Sequence, residues 1–215
     1  MIFQRHDLVF ADWKNMGTSL IQNEEFRNLI VQNKIPGIVR RDEKEVTDGE
    51  NYYNQEEKVF VGFVHPVTEN GRRLRFGSSI QGNKINKLIT PYEVSKFEFD
   101  DRTPSLKALA EIKQNYNIGV WGSASLEIVT EYQYTHDMSD LDLIVKKYQP
   151  EALIELLSTC NELESLLGIK IDVEINLKNG YGINLKEYAS ESDTLLGKGL
   201  RDVVLIKRKS IEAYL

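Results

Sequence analysis

Cysteine is nearly absent from this sequence: Cys160 stands alone among 215 residues. No internal disulfide can form, and a reduced, cytoplasmic setting is expected. Cys160 falls in the helical pattern "LIELLSTCNELESLL" with no evident histidine partner, so it reads as a structural residue rather than a nucleophile. Long apolar runs are lacking too. None approaches the ~20 residues that a membrane-spanning helix needs, so no membrane association is expected. The opening "MIFQRHDLVF" carries Arg5 and Asp7 where a secretory signal would need an apolar stretch. Positive charge is in deficit: 27 Lys and Arg against 33 Asp and Glu give a net charge of −6. That balance argues against a general nucleic-acid binder while leaving room for local basic patches. No internal repeat and no low-complexity tract is visible.

What is present is an ordinary globular balance, 41% hydrophobic and 28% charged. The length suits one large domain or two small ones with a real core. The chain divides by texture near residue 100, and the expected fold class is α+β. Residues 1–100 carry short apolar runs ("EKVFVGFV", "RRLRFG", "NKLIT") among turn and charge signals, as a strand-containing domain would. "RRDEKEVTDGENYYNQEEK" (40–58) reads as a long exposed loop. Residues 101–215 are more regular. Thr103 and Pro104 read as an N-cap and first helical residue, opening a helix over 104–115. A strand over 118–121, a turn at Gly122-Ser123, a helix over 124–132 and a strand over 140–146 follow. Pro150 opens a second long helix with Leu153, Leu156, Leu157, Cys160 and Leu163 on one face. Asn179-Gly180 between two alternating runs signals a hairpin, and "DVVLIK" (202–207) a last strand.

The chemistry gathers on two strands. Side chains alternate along a strand, so in "DLDLIV" Asp140 and Asp142 share one face, with Leu141 and Leu143 on the other. Two same-face carboxylates repel, and desolvation makes that worse. Solvent, arginines or a divalent cation must compensate. Mg²⁺ is the hard cation best matched to a carboxylate pair plus substrate phosphates. In "IKIDVEIN", Asp172 and Glu174 again share a face, opposite Ile171, Val173 and Ile175. Two such strands side by side would make a two-metal site, which clamps the attacking and leaving oxygens of an in-line displacement. Upstream, Gly122 and Ser123 lie between a strand and a helix, where small residues let a phosphate approach backbone N–H groups. Each piece alone is common: an exposed strand can carry D-x-D, and Gly-Ser is an ordinary turn. The order strand, Gly-Ser, helix, D-x-D strand, helix, D-x-E strand is far more specific, and it suits phosphoryl or nucleotidyl transfer.

That order resembles the nucleotidyltransferase superfamily whose best-known member is DNA polymerase β. One departure is the spacing of 16 residues between Ser123 and Asp140. With "YQYTHDMSD" in that interval, the chain resembles one branch, the malonate decarboxylase holo-acyl-carrier-protein synthases, or phosphoribosyl-dephospho-CoA transferases. "RHDLVF" (5–10), "IPGIVRR" (35–41), "VGFVHP" (61–66), "RRLRF" (72–76), "VWGSASLEIVTEYQYTHDMSDLDLIV" and "VVLIKR" (203–208) resemble its motifs in order. "IDVEI" stands where the family tends to have "DGE", so the glycine of that motif is missing.

The resemblance implies an amino-terminal substrate- or carrier-binding domain (1–100) followed by a polymerase-β-like nucleotidyltransferase domain (101–215), with a mixed sheet flanked by helices. It implies transfer of phosphoribosyl-dephospho-CoA from 2′-(5″-triphosphoribosyl)-3′-dephospho-CoA to a serine of the apo acyl carrier subunit of malonate decarboxylase, with release of pyrophosphate. Under it, Asp140 and Asp142 hold Mg²⁺. Asp172 completes the second metal and takes the serine proton, with Glu174 as its alternative. Gly122 and Ser123 cradle phosphates. Arg40, Arg41 and Lys207 neutralise the triphosphate or are solvated surface cations. The segment 198–209 docks an acidic carrier or is plain surface. His6 has a structural or substrate-contact role, His136 is a loop residue near the aspartates, and His65 before Pro66 reads as a turn. Two other readings remain: a small nucleotidyltransferase with a different acceptor, and a catalytically silent binding domain.

Overall fold

The structure, a computed structural model, describes residues 1–15, 21–32, 34–42, 49–69, 72–146 and 148–215. In chain order its elements are β1 (Ile2–Phe3), β2 (Leu8–Ala11), α1 (Glu24–Val31), β3 (Gly37–Val39), β4 (Tyr53–Asn54), β5 (Lys58–Glu69), β6 (Arg72–Gln81), β7 (Ile85–Ile89) and α2 (Pro91–Val94). There follow α3 (Pro104–Asn115), β8 (Gly119–Trp121), α4 (Gly122–Thr130), β9 (Leu141–Val145), α5 (Pro150–Leu167), β10 (Ile171–Asn176), β11 (Gly182–Asn184), α6 (Leu185–Ala189), β12 (Thr194–Lys198) and β13 (Val203–Lys207). The architecture is α+β. A five-stranded sheet, β6-β5-β3-β2-β7, comes from the first half of the chain. A six-stranded sheet, β13-β12-β11-β10-β9-β8, comes from the second. A two-stranded piece pairs β1 with β4. No helix among the described residues is long and apolar enough to cross a membrane.

The second sheet is mixed: β9 and β10 run parallel, and its other neighbours antiparallel. The period-2 pattern holds. Leu141, Leu143 and Val145 of β9 and Ile171, Val173 and Ile175 of β10 are buried, facing the layer of α3 and α5. Asp142, Asp172 and Glu174 occupy the opposite face. Helix α5 buries Leu153, Leu156 and Cys160, while Leu157 and Leu163 are half-buried beside them. Burial pushes the Cys160 thiol up to about 12, which keeps it protonated and inert at neutral pH. Asn179-Gly180 turns β10 into β11, with Gly180 at φ +81°.

Four expectations need correction. Thr103 occupies the N-cap of α3, but its hydroxyl caps nothing. It bonds instead to Thr135 Oγ1 and Ser105 Oγ, because it is buried against the loop before β9. Helix α4 begins at Gly122 rather than 124, so Gly122 and Ser123 form its first turn. His65 and Pro66 lie inside β5 at a register shift, where Pro66 costs no ladder bond, and His65 is buried with Nδ1 accepting from Val67 N–H. The 40–58 stretch is not wholly an exposed loop. Residues 43–48 lie outside the described residues, but Tyr53 is buried and pairs with Phe3. Asn51 donates to Asn179 O and accepts from Leu200 N–H. These bonds tie the first half of the chain to the second.

Candidate active site

The parallel register of β9 and β10 sets Asp142 directly beside Asp172. Antiparallel pairing with β8 sets Asp142 opposite Trp121, the residue before α4. Asp140 stands exposed just before β9. Glu174 lies two residues beyond Asp172 and is buried. One strand pair therefore presents a file of carboxylates at the start of α4. Burial is the largest influence on Asp142, and the charges of Asp172, Asp140 and Glu174 add to it, so its carboxyl is pushed up to about 7. Lys198 acts in the opposite sense but is the smallest influence.

Gly122 is there because nothing else fits. Its φ is +69°, and an added Cβ would collide with the Asp142 carboxylate. No side chain caps α4, so the N–H groups of its first turn are free of a side-chain acceptor, as a phosphate cradle requires. Gly122→Ala is expected to cost ~1–3 kcal/mol through backbone strain and to displace Asp142. Chemical denaturation would measure the first effect, and a fall in Mg²⁺–nucleotide affinity by calorimetry the second. Unchanged affinity would show that the close approach of Gly122 to Asp142 is dispensable.

Glu174 is not an open ligand. Arg5, from the far end of the chain, grips it with two nitrogens at 3.0 and 3.2 Å and donates to Lys198 O at 2.6 Å. Burial alone would raise the Glu174 carboxyl; the neighbouring His6 and Arg5 hold it below its ordinary value. His6 adopts φ +72°, a left-handed backbone that is unusual for a residue with a Cβ. Its ring stacks on Trp121 at 3.8 Å, and Trp121 Nε1 donates to Leu143 O. His6 Nε2 lies 3.5 Å from Glu174 Oε1 without a hydrogen-bond partner. Burial holds the imidazole below its ordinary pKa despite that carboxylate, so at neutral pH His6 is a neutral ring and Arg5 is the counter-ion.

These residues open onto a cleft of about 1130 Å³ between the five-stranded sheet and the carboxylate end of the six-stranded one. Arg5, Arg40, Arg41, Arg72, Arg73, Arg75 and Lys198 line it, with Asp142 as the one lining carboxylate. Gly122, Ser123 and His136 line it as well. The structure thus gathers Asp142, Gly122, Ser123, Arg40 and Arg41 around one space. Asp140 and Asp172 act on Asp142 from beside it. Lys207 does not join them. It is exposed at the far end of β13, opposite Thr194, because strand pairing sends it away from the cleft. Lys198, at the other end of the same hairpin, takes the position facing Asp142. Among the described residues, no group of three or more His, Cys, Asp or Glu side chains is already disposed to hold a metal ion.

Sequence reasoning quoted Arg5, Trp121, Arg72, Arg73 and Arg75 only within motifs and gave them no role, and it took Lys198 only as part of the segment 198–209. One signal was available: Arg73 and Arg75 alternate within a strand and must share a face. The pairing of Arg5 with Glu174 had no local signal.

The family model described as "Phosphoribosyl-dephospho-CoA transferase MdcG C-terminal domain" matches residues 96–209. Proteins described as "Phosphoribosyl-dephospho-CoA transferase" from Xanthomonas axonopodis pv. citri (strain 306) and Xanthomonas euvesicatoria pv. vesicatoria (strain 85-10) are similar to the chain. Each is 30% identical over 92 residues, 43% of this chain and 43% of the relative. The match therefore spans less than half the length of these curated relatives. No solved structure matches. The matched segment contains Gly122, Ser123, Asp140, Asp142, Asp172, Glu174 and Lys198, whereas Arg5, His6 and the arginines of β6 lie outside it. The family model covers more than half of the chain, which therefore belongs to the phosphoribosyl-dephospho-CoA transferase MdcG C-terminal domain family.

Proposed function

We propose that this protein transfers phosphoribosyl-dephospho-CoA from 2′-(5″-triphosphoribosyl)-3′-dephospho-CoA to a serine of the apo acyl carrier subunit of malonate decarboxylase, releasing pyrophosphate. The observation that carries the reading is the charge of the cleft: apart from Arg5, which is paired with Glu174, five arginines and one lysine line it beside one carboxylate, in a chain of net charge −6. A polyanionic donor is complementary to that lining. Family membership and the names of the two relatives favour the same donor class. In this reading residues 1–100 form a substrate-binding unit, and residues 101–215 a polymerase-β-like catalytic unit.

The residues present suit Mg²⁺. Asp140, Asp142 and Asp172 offer hard oxygen donors, and the raised Asp142 carboxyl marks a place where a cation is the absent counter-charge. Glu174, already balanced by Arg5, is the weaker candidate. Bound there, Mg²⁺ would neutralise the triphosphate and the charge that develops on pyrophosphate. The chain's own groups do the rest. The N–H groups at Gly122 and Ser123 hold phosphate oxygens, and Arg40, Arg41 and Lys198 take the remaining charge. The acceptor serine Oγ forms a bond to the α-phosphorus. The bond from that phosphorus to the oxygen bridging the β-phosphate breaks, and its electron pair leaves with pyrophosphate. Asp172 accepts the serine proton.

Incubating the protein with apo carrier, the donor and Mg²⁺ should add the mass of phosphoribosyl-dephospho-CoA to the carrier serine, with one pyrophosphate released per carrier. Asp172→Asn should remove the mass gain, while Glu174→Gln should retain more of it. Pyrophosphate release without any gain on the carrier would move the acceptor elsewhere. Neither product, in the presence of a correctly folded protein, would overturn the reading.

A further inference from the structure

We propose that Arg73 and Arg75 of β6 form a second anion site, which holds the diphosphate bridge of a CoA-type donor apart from the carboxylate end that takes its triphosphate. The proposal rests on the donor class inferred above. It begins with register. Arg73, Arg75 and Gly77 share one face of β6, and across the ladder they meet Thr68, Val64 and Gly62 of β5. Gly62 and Gly77 stand opposite each other, and a Cβ on Gly77 would touch nothing within 4 Å. The strip is therefore open at Gly77, is covered at Gly62 by the Arg40 side chain, whose Cδ an added Cβ would meet at 3.1 Å, and carries two guanidinium groups beyond.

The cations are arranged without an anion to satisfy them. Arg73 is half-buried and held by neutral partners: its Nε donates to Pro66 O and its Nη2 to Gln133 O, both at 3.3 Å. Its guanidinium lies 5.4 Å from the Tyr134 ring centre, and Tyr134 is itself fixed by its hydroxyl donating to Val64 O at 2.9 Å. Glu127, a carboxylate acting on Arg73, is paired with Arg102. Arg75 is exposed, and among the described residues neither arginine has a carboxylate ion pair. A guanidinium aimed by backbone carbonyls and an aromatic face, with no counter-ion, is organised for a phosphate.

The cleft has room for more than one anionic group. Gly77 to Arg73 is four residues, ~13 Å of strand at ~3.3 Å per residue. The cleft, about 1130 Å³, exceeds the ~300–1,000 Å³ of ordinary ligand pockets. A nucleoside triphosphate has one anionic group and fills one end. A donor with a triphosphate and a separate diphosphate bridge spans both ends.

Calorimetry with two probes tests this. Dephospho-CoA carries the diphosphate bridge without the triphosphate, and Mg–tripolyphosphate carries a triphosphate without the adenosine diphosphate and its CoA arm. Arg75→Gln, at an exposed position that the fold does not need, should weaken dephospho-CoA roughly tenfold or more and leave Mg–tripolyphosphate within about twofold. Arg73→Gln should act in the same sense, and Asp142→Asn in the opposite one. Equal weakening of both probes by Arg75→Gln would reduce the stripe to a general positive field and overturn the proposal. Dephospho-CoA binding that ignores both arginines would overturn it too, while leaving the donor class standing. Wild-type protein that binds Mg–tripolyphosphate but not dephospho-CoA would overturn the donor class and this site together.

Discussion

Replacing Asp142 by Asn is expected to cut transfer severely and, at the same time, to stabilise the cation-free protein. The two effects share one cause. Asp142 is half-buried among Asp172, Asp140 and Glu174, and its carboxyl is pushed from 3.8 to about 7. A carboxyl whose folded pKa lies above its unfolded one binds its proton more tightly when folded. Stability therefore falls as pH rises between about 4 and about 7, and the whole penalty is present above that window. Asparagine mimics the neutral acid and removes the penalty. Discounted for partial exposure, the gain at pH 8 is about 1–3 kcal/mol, or roughly 3–10 °C in a chain of this size. Below pH ~4 it should vanish. The catalytic loss should be on the order of 10²–10³-fold, because the site would lose charge stabilisation where the transition state develops charge. Thermal melts at pH 4 and pH 8 with chelator present, beside the carrier mass-shift assay, measure both. A lower melting temperature at pH 8 would contradict the electrostatic account, and near-normal transfer would remove Asp142 from catalysis.

Arg5→Met should produce the largest loss of stability of any single substitution considered, about 3–5 kcal/mol, because it strands the buried Glu174 carboxylate without its cation. The same change also removes the bond to Lys198 O. Adding Glu174→Gln to Arg5→Met should restore more than half of the loss, since no buried charge then remains unpaired. Urea unfolding of the two single variants and the double variant gives the coupling directly. Additive losses would mean that Arg5 matters for its packing alone. Restored stability without restored transfer would show that the ion pair also orients β10 for catalysis.

The carboxylate strands were legible because their chemistry is local. Alternation in "DLDLIV" and "IKIDVEIN" sets the faces of β9 and β10, Asn179-Gly180 marks the hairpin, and Pro104 and Pro150 mark helix starts. The five-stranded sheet was visible only as fragments. Strand β5 runs through Gly62 and Pro66 with a register shift between Val64 and Thr68, so propensity reads it as interrupted, while pairing with β3 and β6 makes it one strand. Lys207 and Lys198 look alike in sequence. Only the pairing of β12 with β13 decides which end of the hairpin meets Asp142. The place of Glu174 depended on Arg5, 169 residues away, and no periodicity carries that distance.

That separation has a consequence for how the protein comes into being. A contact closing 169 residues belongs to the slow, non-local end of folding, where chain entropy must be lost before the contact returns anything. A nascent chain that has reached β9 but not β10 holds Asp142 without Asp172 and Glu174, and Arg5 without its carboxylate partner. Under the roles proposed for Asp142 and Asp172, transfer requires β10, and translation products that stop before it should be inert rather than partly active.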